Sequence, residues 1–192
     1  MVKFKKIREN LSFGSNMLEQ VNKKVLSETL SKLRESGNAY SEFEVSARSL
    51  GGPKVEVRIR NHVIRIDTAP SFGGEDSAPR PSEVALAALS GCIMQVIMWN
   101  SALHDVPIED LTINVRARHE LVSMFDPSAG WPGEANVQVE IYVKTPEPEK
   151  FEKYIMPYIA MESPVTQTFV KPIPLRWVVT VNERKRQEVY IV

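Results

Sequence analysis

A single cysteine, Cys92, in 192 residues excludes any disulfide within the chain. Surplus charge is also missing: 24 basic residues balance 24 acidic ones, so no overall field draws the chain to nucleic acid or to an anionic membrane. The histidines His62, His104 and His119 lack metal-ligand spacing, and one cysteine beside them completes no zinc set. There is no P-loop, no G-x-G-x-x-G after a strand and no G-x-S-x-G elbow, so nucleotide and serine-triad chemistry lose their usual support. The expectation is a protein without metal or cofactor and without a nucleic-acid partner. The opening MVKFKKIREN has no apolar run of the secretory kind, which together with the lone cysteine leads to an expected cytoplasmic location. Glu183-Arg184-Lys185-Arg186 is short and mixed in sign, and reads as a solvated turn.

Hydrophobic residues make up 43% of the chain, enough for one main domain with a core. Met17, Leu18, Val21, Val25, Leu26, Leu30 and Leu33 recur at helical spacing, and Ser36-Gly37-Asn38 ends the pattern. Residues 1–40 are therefore read as an N-terminal helical extension, whose simplest role is to cover a core or a partner. From Glu42 the period becomes two: Phe43, Val45 and Ala47, then Val55, Val57 and Ile59, then Ile64 and Ile66 after an Asn61-His62 hairpin loop. Thr68 to Pro81 is a Gly- and Pro-rich loop. The segment from about Pro81 to Leu103 is apolar nearly all round, and within it Val84 to Leu103 carries no formal charge and reaches bilayer length, but Ser90, Gln95, Asn100 and Ser101 interrupt it. It reads as a central helix between layers. Alternation returns at Leu111–Ala117 and Val137–Val143, helical spacing at Phe151–Ile159 with Pro157 ending or kinking that helix, and alternation again at Leu175–Val181 as a last core strand. Ser163-Pro164 has the form of an N-cap followed by proline at the first helical position. Segregated strands and helices without a βαβ rhythm indicate the α+β class.

By itself, a lone cysteine in an apolar helix reads as a small buried hydrophobe. The surrounding run changes that reading. Gly73-Gly74-Glu75-Asp76-Ser77-Ala78-Pro79-Arg80-Pro81-Ser82-Glu83-Val84-Ala85-Leu86-Ala87-Ala88-Leu89-Ser90-Gly91-Cys92 resembles the signature of the OsmC/Ohr family. In that family a Gly-rich loop, a Pro-x-Glu helix start and an Ala/Leu helix lead to the first conserved cysteine. The resemblance runs from about Glu42 to Val181, which makes 41–192 the OsmC-like domain. It implies an OsmC-like fold, with antiparallel sheets packed around a long central helix in an intertwined homodimer. An exposed helix this apolar points to a homodimer as well.

The resemblance further implies a thiol peroxidase in which Cys92, as thiolate, attacks an organic or lipid hydroperoxide. An ordinary thiol is mostly protonated at neutral pH, so a cation must raise the thiolate fraction. In the family an arginine of the early strands does this, held by the glutamate of the helix start. Arg48 and Glu83 are the matching residues here. Arg48 precedes Leu50-Gly51-Gly52 rather than following a Gly-Gly pair as in Ohr members, which leaves Arg58, Arg60 and Arg65 as substitutes. Nine residues separate Glu83 from Cys92, putting them on opposite faces of a regular helix and about 13 Å apart along it. Where the family carries its second, resolving cysteine, this chain has Ser163, so the two-cysteine cycle is closed to it: either an external thiol reduces Cys92, or peroxidase activity is weakened or lost. The competing expectation is a non-catalytic OsmC-like dimer that binds an apolar ligand or partner, with Cys92 inert; a partner-binding module built on the N-terminal helix is the third.

Overall fold

The computed structural model of the chain describes residues 21–37, 39–182 and 184–191. Met17, Leu18, Asn38 and Glu183, used in the reading above, lie outside them. Helix α1 (Lys23–Ser36) is capped by Asn22, whose side-chain oxygen accepts from Val25 N at 3.1 Å, and is ended by Gly37 at φ 68°. Strands β1 (Ser46–Gly51), β2 (Lys54–Ile59) and β3 (His62–Ile66) form an antiparallel sheet. Helix α2 (Pro81–His104) follows, then the antiparallel pair β4 (Asp110–His119) and β5 (Glu134–Lys144). Short helices α3 (Pro148–Tyr154) and α4 (Pro164–Val170) precede a closing hairpin of β6 (Leu175–Val181) and β7 (Arg184–Ile191). This is the expected α+β arrangement of antiparallel sheets and one long helix.

The core lies where α2 meets β4, α3 and the segment after α3. Leu89, Ile93 and Ile97, spaced by four, form the buried stripe of α2 and pack with Val106, Ile108, Leu111, Phe151, Ile155 and Ile159. On the sheet, Leu111, Ile113 and Val115 stand opposite Val143, Ile141 and Val139, so the alternation read from sequence becomes a row of apolar cross-strand pairs. As expected, Pro157 brings α3 to a close: a 3₁₀ turn, Met156–Tyr158, replaces it. At the other end of α2, α1 docks, with Lys23 paired to Asp105.

Four readings of the strands need correction. Pairing of the first strand begins at Ser46, opposite Arg58, and Tyr40 and Phe43 are 90% exposed; extended in this register, Glu44 and Phe43 would face only the turn residues Arg60 and Asn61. That turn is Arg60-Asn61, with Arg60 at φ 54°, rather than Asn61-His62. Charge accounts for the choice: the observed register sets Glu56 opposite Arg65, whereas the later turn would set Glu56 against Asp67 and Arg58 against Arg65. β6 is exposed along its whole length and so is not a core strand of this chain. Arg184–Arg186, read as part of a turn, opens β7 instead. Expectation and structure also part over α2, because a single chain covers only its Leu89–Ile97 face and leaves Ala88, Gly91, Gln95 and Trp99 exposed. By length and composition α2 is the one described helix apolar enough to span a bilayer.

The loop that delivers the chain to α2 is organised by Asp67, which is 1% exposed. Its carboxylate accepts from Thr68 N (2.8 Å), Glu75 N (3.2 Å), Ser77 N (3.0 Å) and Ser77 Oγ (2.6 Å). The Ser77 hydroxyl and then the Ser77 amide hold the carboxyl well below its ordinary range. Gly74 fits under this clamp only because it lacks a side chain: a Cβ there would stand 2.0 Å from Thr68 O. Gly74→Ala is therefore expected to cost at least the ~1–3 kcal/mol typical of overpacking, read as a lower urea midpoint. The acid limb should carry a second signature. Above about pH 4 the clamp contributes in full; below it the unfolded chain takes up a proton that native Asp67 refuses, and stability falls until native Asp67 protonates too. Asp67→Asn should be less stable at pH 7 and lose stability less steeply below pH 4 in acid-unfolding curves.

Candidate functional site

Cys92 sits halfway along α2, half-buried, at the border of the stripe formed by Leu89, Ile93 and Val96. The segment leading to α4 crosses this border because Ile155 and Ile159 are held in the core and Asn100 ties it down. Buried Asn100 donates through Nδ2 to Val96 O (3.1 Å) and to Glu162 Oε2 (2.7 Å), joining α2 to the residue before the α4 cap. Ser163, with no exposed surface, caps α4 as its sequence predicts: Oγ accepts from Thr166 N at 3.2 Å, and Pro164 stands at the first helical position. The same Oγ lies 3.1 Å from Cys92 Sγ. Thr166 Oγ1 completes the group at 2.8 Å from Ser163 Oγ. Two residues 71 apart in sequence thus meet side chain to side chain.

The other candidates are placed elsewhere in the chain. Glu83 caps the start of α2, accepting from Arg80 N at 2.8 Å, the role its first-turn position also predicts. It lines a groove of about 650 Å³ between α2 and β4 with Arg80, Leu86, Ser90, Arg116 and His119; Cys92 is not part of that lining. Arg48 lies on β1, where its guanidinium contacts Glu56 Oε1 at 3.0 Å, and Arg58 reaches the same oxygen at 3.1 Å. Arg48, and after it Arg58, holds the Glu56 carboxyl below its ordinary value. Arg65 stands across the strand from Glu56 and Arg60 at the turn. The three-stranded sheet does not pack substantially on α2 within one chain. Among the described residues no group of three or more His, Cys, Asp or Glu side chains is placed to hold a metal.

Three residues of this arrangement went unread in the sequence. Thr166 had a local signal, the Ser-x-x-Thr spacing that puts a second hydroxyl over an N-cap. Asn100 and Glu162 had none, since a bond across 62 residues depends on how α2 and α4 pack.

An α+β chain whose long apolar helix sets a thiol against the cap of a following short helix is, by fold and site, a thiol-bearing OsmC-type domain. Residues 74–178 match the family model described as OsmC-like protein, more than half of the chain, and the protein belongs to that family. An OsmC like protein from Mycoplasma pneumoniae superposes with a TM-score of 0.58 at 15% identity, over 68% of this chain and 89% of its own. An OsmC-like protein of unknown function from Vibrio cholerae gives 0.54 at 17% identity, over 67% and 94%. A Psychrobacter arcticus protein whose name links it provisionally to osmotic stress induction and detoxification response gives 0.54 at 17%, over 70% and 91%. These likenesses speak to the fold. No curated protein matches the chain in sequence.

The 3.1 Å between Ser163 Oγ and Cys92 Sγ exceeds a disulfide bond by only about 1 Å, within the reach of a small rotamer adjustment. Ser163→Cys is accordingly expected to form a disulfide with Cys92 on mild oxidation, seen as loss of both free thiols and a mass lower by two hydrogens. Two persistent free thiols in the folded variant would show that the side chains do not meet as described.

Proposed function

We propose that the protein reduces organic or lipid hydroperoxides through Cys92, as a one-cysteine member of its family. The observation that supports this reading is the contact of Cys92, half-buried on α2, with Ser163, two residues that by the resemblance stand at the family's two cysteine positions. In the proposed step the Cys92 thiolate attacks one peroxide oxygen, the O–O bond breaks, and the alkoxide leaves and takes a proton to become the alcohol. Sulfur loses two electrons and becomes a sulfenic acid. One external thiol displaces water from it to give a mixed disulfide, and a second releases Cys92 with formation of the external disulfide. Dependence on an external thiol suits a reducing, cytoplasmic setting.

A homodimer belongs to the same proposal. Leu175, Trp177 and Val178 on β6 and Trp99 on α2 are 44–53% exposed, large apolar side chains of the kind that a second copy would cover. That copy would also give the arginine-bearing sheet of β1–β3 a thiol to approach. Arg48 remains the proposed activating cation, positioned by Glu56; Glu83 is proposed to contribute through the α2 start.

Stoichiometric cumene hydroperoxide should convert wild-type Cys92 to a sulfenic acid trapped by dimedone, and excess peroxide should drive it to sulfinic acid because no internal thiol intercepts it. Cys92→Ser should abolish the reaction, and Arg48→Ala should slow it by about tenfold or more, as expected when an activating cation is lost. Sedimentation should give twice the chain mass. A folded protein whose Cys92 stays reduced under excess hydroperoxide would turn the reading toward a non-catalytic dimer that binds an apolar ligand.

A further inference from the structure

The position of the absent second cysteine is occupied by a hydroxyl with a limited set of choices. Ser163 Oγ carries one proton and two lone pairs, and it is fully buried, so water does not compete for them. One lone pair takes the Thr166 amide proton, which has no alternative orientation. Two neighbours remain, Thr166 Oγ1 at 2.8 Å and Cys92 Sγ at 3.1 Å, each able to donate or accept while the sulfur is a thiol. Ionisation removes that freedom. A thiolate only accepts, so the Ser163 proton must turn to sulfur and the Thr166 hydroxyl proton must turn to Ser163 Oγ. All three contacts are then satisfied with one direction of flow, from Thr166 to Ser163 to Cys92. A separation of 3.1 Å between hydroxyl oxygen and sulfur suits a bond strengthened by charge.

We propose that Ser163 is a catalytic residue that donates a hydrogen bond to the Cys92 thiolate, and that Thr166 is its positioning residue, the two hydroxyls forming a relay whose direction is fixed when Cys92 ionises. The residue that removes the second redox sulfur thereby supplies stabilisation of the first. The inference rests on the reading of Cys92 as a reactive thiol, but it concerns formation of the thiolate, which can be followed without any peroxide.

The experiment is the rate of Cys92 alkylation by iodoacetamide between pH 5.5 and 9.5, followed by intact mass on the full chain. Ser163→Gly is the principal variant, since glycine is nearly as good an N-cap as serine and leaves α4 in place while deleting the donor. It should slow alkylation at pH 7 by about tenfold, the effect of one charge-assisted hydrogen bond, and displace the pH profile to higher pH. Ser163→Thr keeps a hydroxyl and should restore most of the rate. Thr166→Val should give an intermediate loss, and adding it to Ser163→Gly should change nothing further, because Thr166 acts through Ser163. Circular dichroism and the melting midpoint of each variant separate these effects from loss of fold.

Ser163→Gly with an unaltered rate and pH profile would overturn the proposal. A shifted Ser163→Gly profile with an unaffected Thr166→Val would overturn the relay and leave Ser163 as sole donor. Alkylation that shifts as expected in a protein inert to cumene hydroperoxide would uphold this inference while the peroxidase reading fails; hydroperoxide turnover with alkylation indifferent to Ser163 would do the reverse.

Discussion

The packing of one face of α2 against β4 and the α3–α4 segment is the constraint on which the rest of the molecule depends. Leu89, Ile93 and Ile97 are at most 3% exposed, and Ile155 and Ile159 reach them from a chain segment more than fifty residues later. Burial of this kind fixes the helix in rotation as well as in position, since a turn of about 160° would exchange the isoleucines for Gln95 and Trp99. Rotation of α2 decides where Cys92 points, and the depth of Ile155 and Ile159 decides how closely Ser163 approaches it. The Asn100–Glu162 hydrogen bond sets the same relation in polar terms at the far end of the contact. Thiol and hydroxyl therefore meet as a by-product of the core, without a loop having to be ordered for the purpose.

The same constraint leaves apolar surface unsatisfied. A helix apolar on every side can bury one of its faces within a single chain, and the sheets that would cover the others stand away from it. β6 exposes Leu175, Trp177 and Val179 along one edge of its hairpin, and β2–β3 carry Val55, Val57, Ile64 and Ile66 on the face opposite the arginines. Alternation of this regularity is maintained where both faces of a sheet meet different surroundings. Arginine-bearing and apolar faces on one small sheet thus suit different surroundings, the first solvent and the second a packed layer.

Those features explain what can and cannot be read from the residues. Period and caps are local, so α1, α2 and the Ser163 cap are legible, as are the paired strands β4 and β5 and the end of α3 at Pro157. Register is not local. The turn at Arg60-Asn61 differs by one residue from the sequence reading because asparagine suits either position, and the decision falls to Glu56 facing Arg65 across the strands. β6 reads as a core strand because its alternation is as clean as that of β4; periodicity reports which residues share a face and is silent on whether this chain or another covers it. Asp67 carries no sequence signal for a related reason. Its four hydrogen bonds come from Thr68, Glu75 and Ser77, and only the folded loop makes a ten-residue span into one ligand shell for a carboxylate.

If Ser163 stands at the position of the family's second cysteine, as the resemblance implies, an oxygen in place of a sulfur there changes the chemistry open to Cys92. Serine and cysteine differ by one atom, but the hydroxyl oxygen is the better acceptor for the Thr166 amide at the α4 cap. Their consequences for Cys92 diverge. In the proposed reaction a second thiol would close each oxidation in a disulfide and require a reductant to reopen it. A hydroxyl cannot be oxidised in that way. It also stays a donor at every pH at which Cys92 is a thiolate, whereas a neighbouring thiol would itself lose its proton and repel the charge. Fully buried, 3.1 Å from Cys92 Sγ and bracketed by Thr166, Ser163 is fixed as a hydrogen-bonding partner to that sulfur.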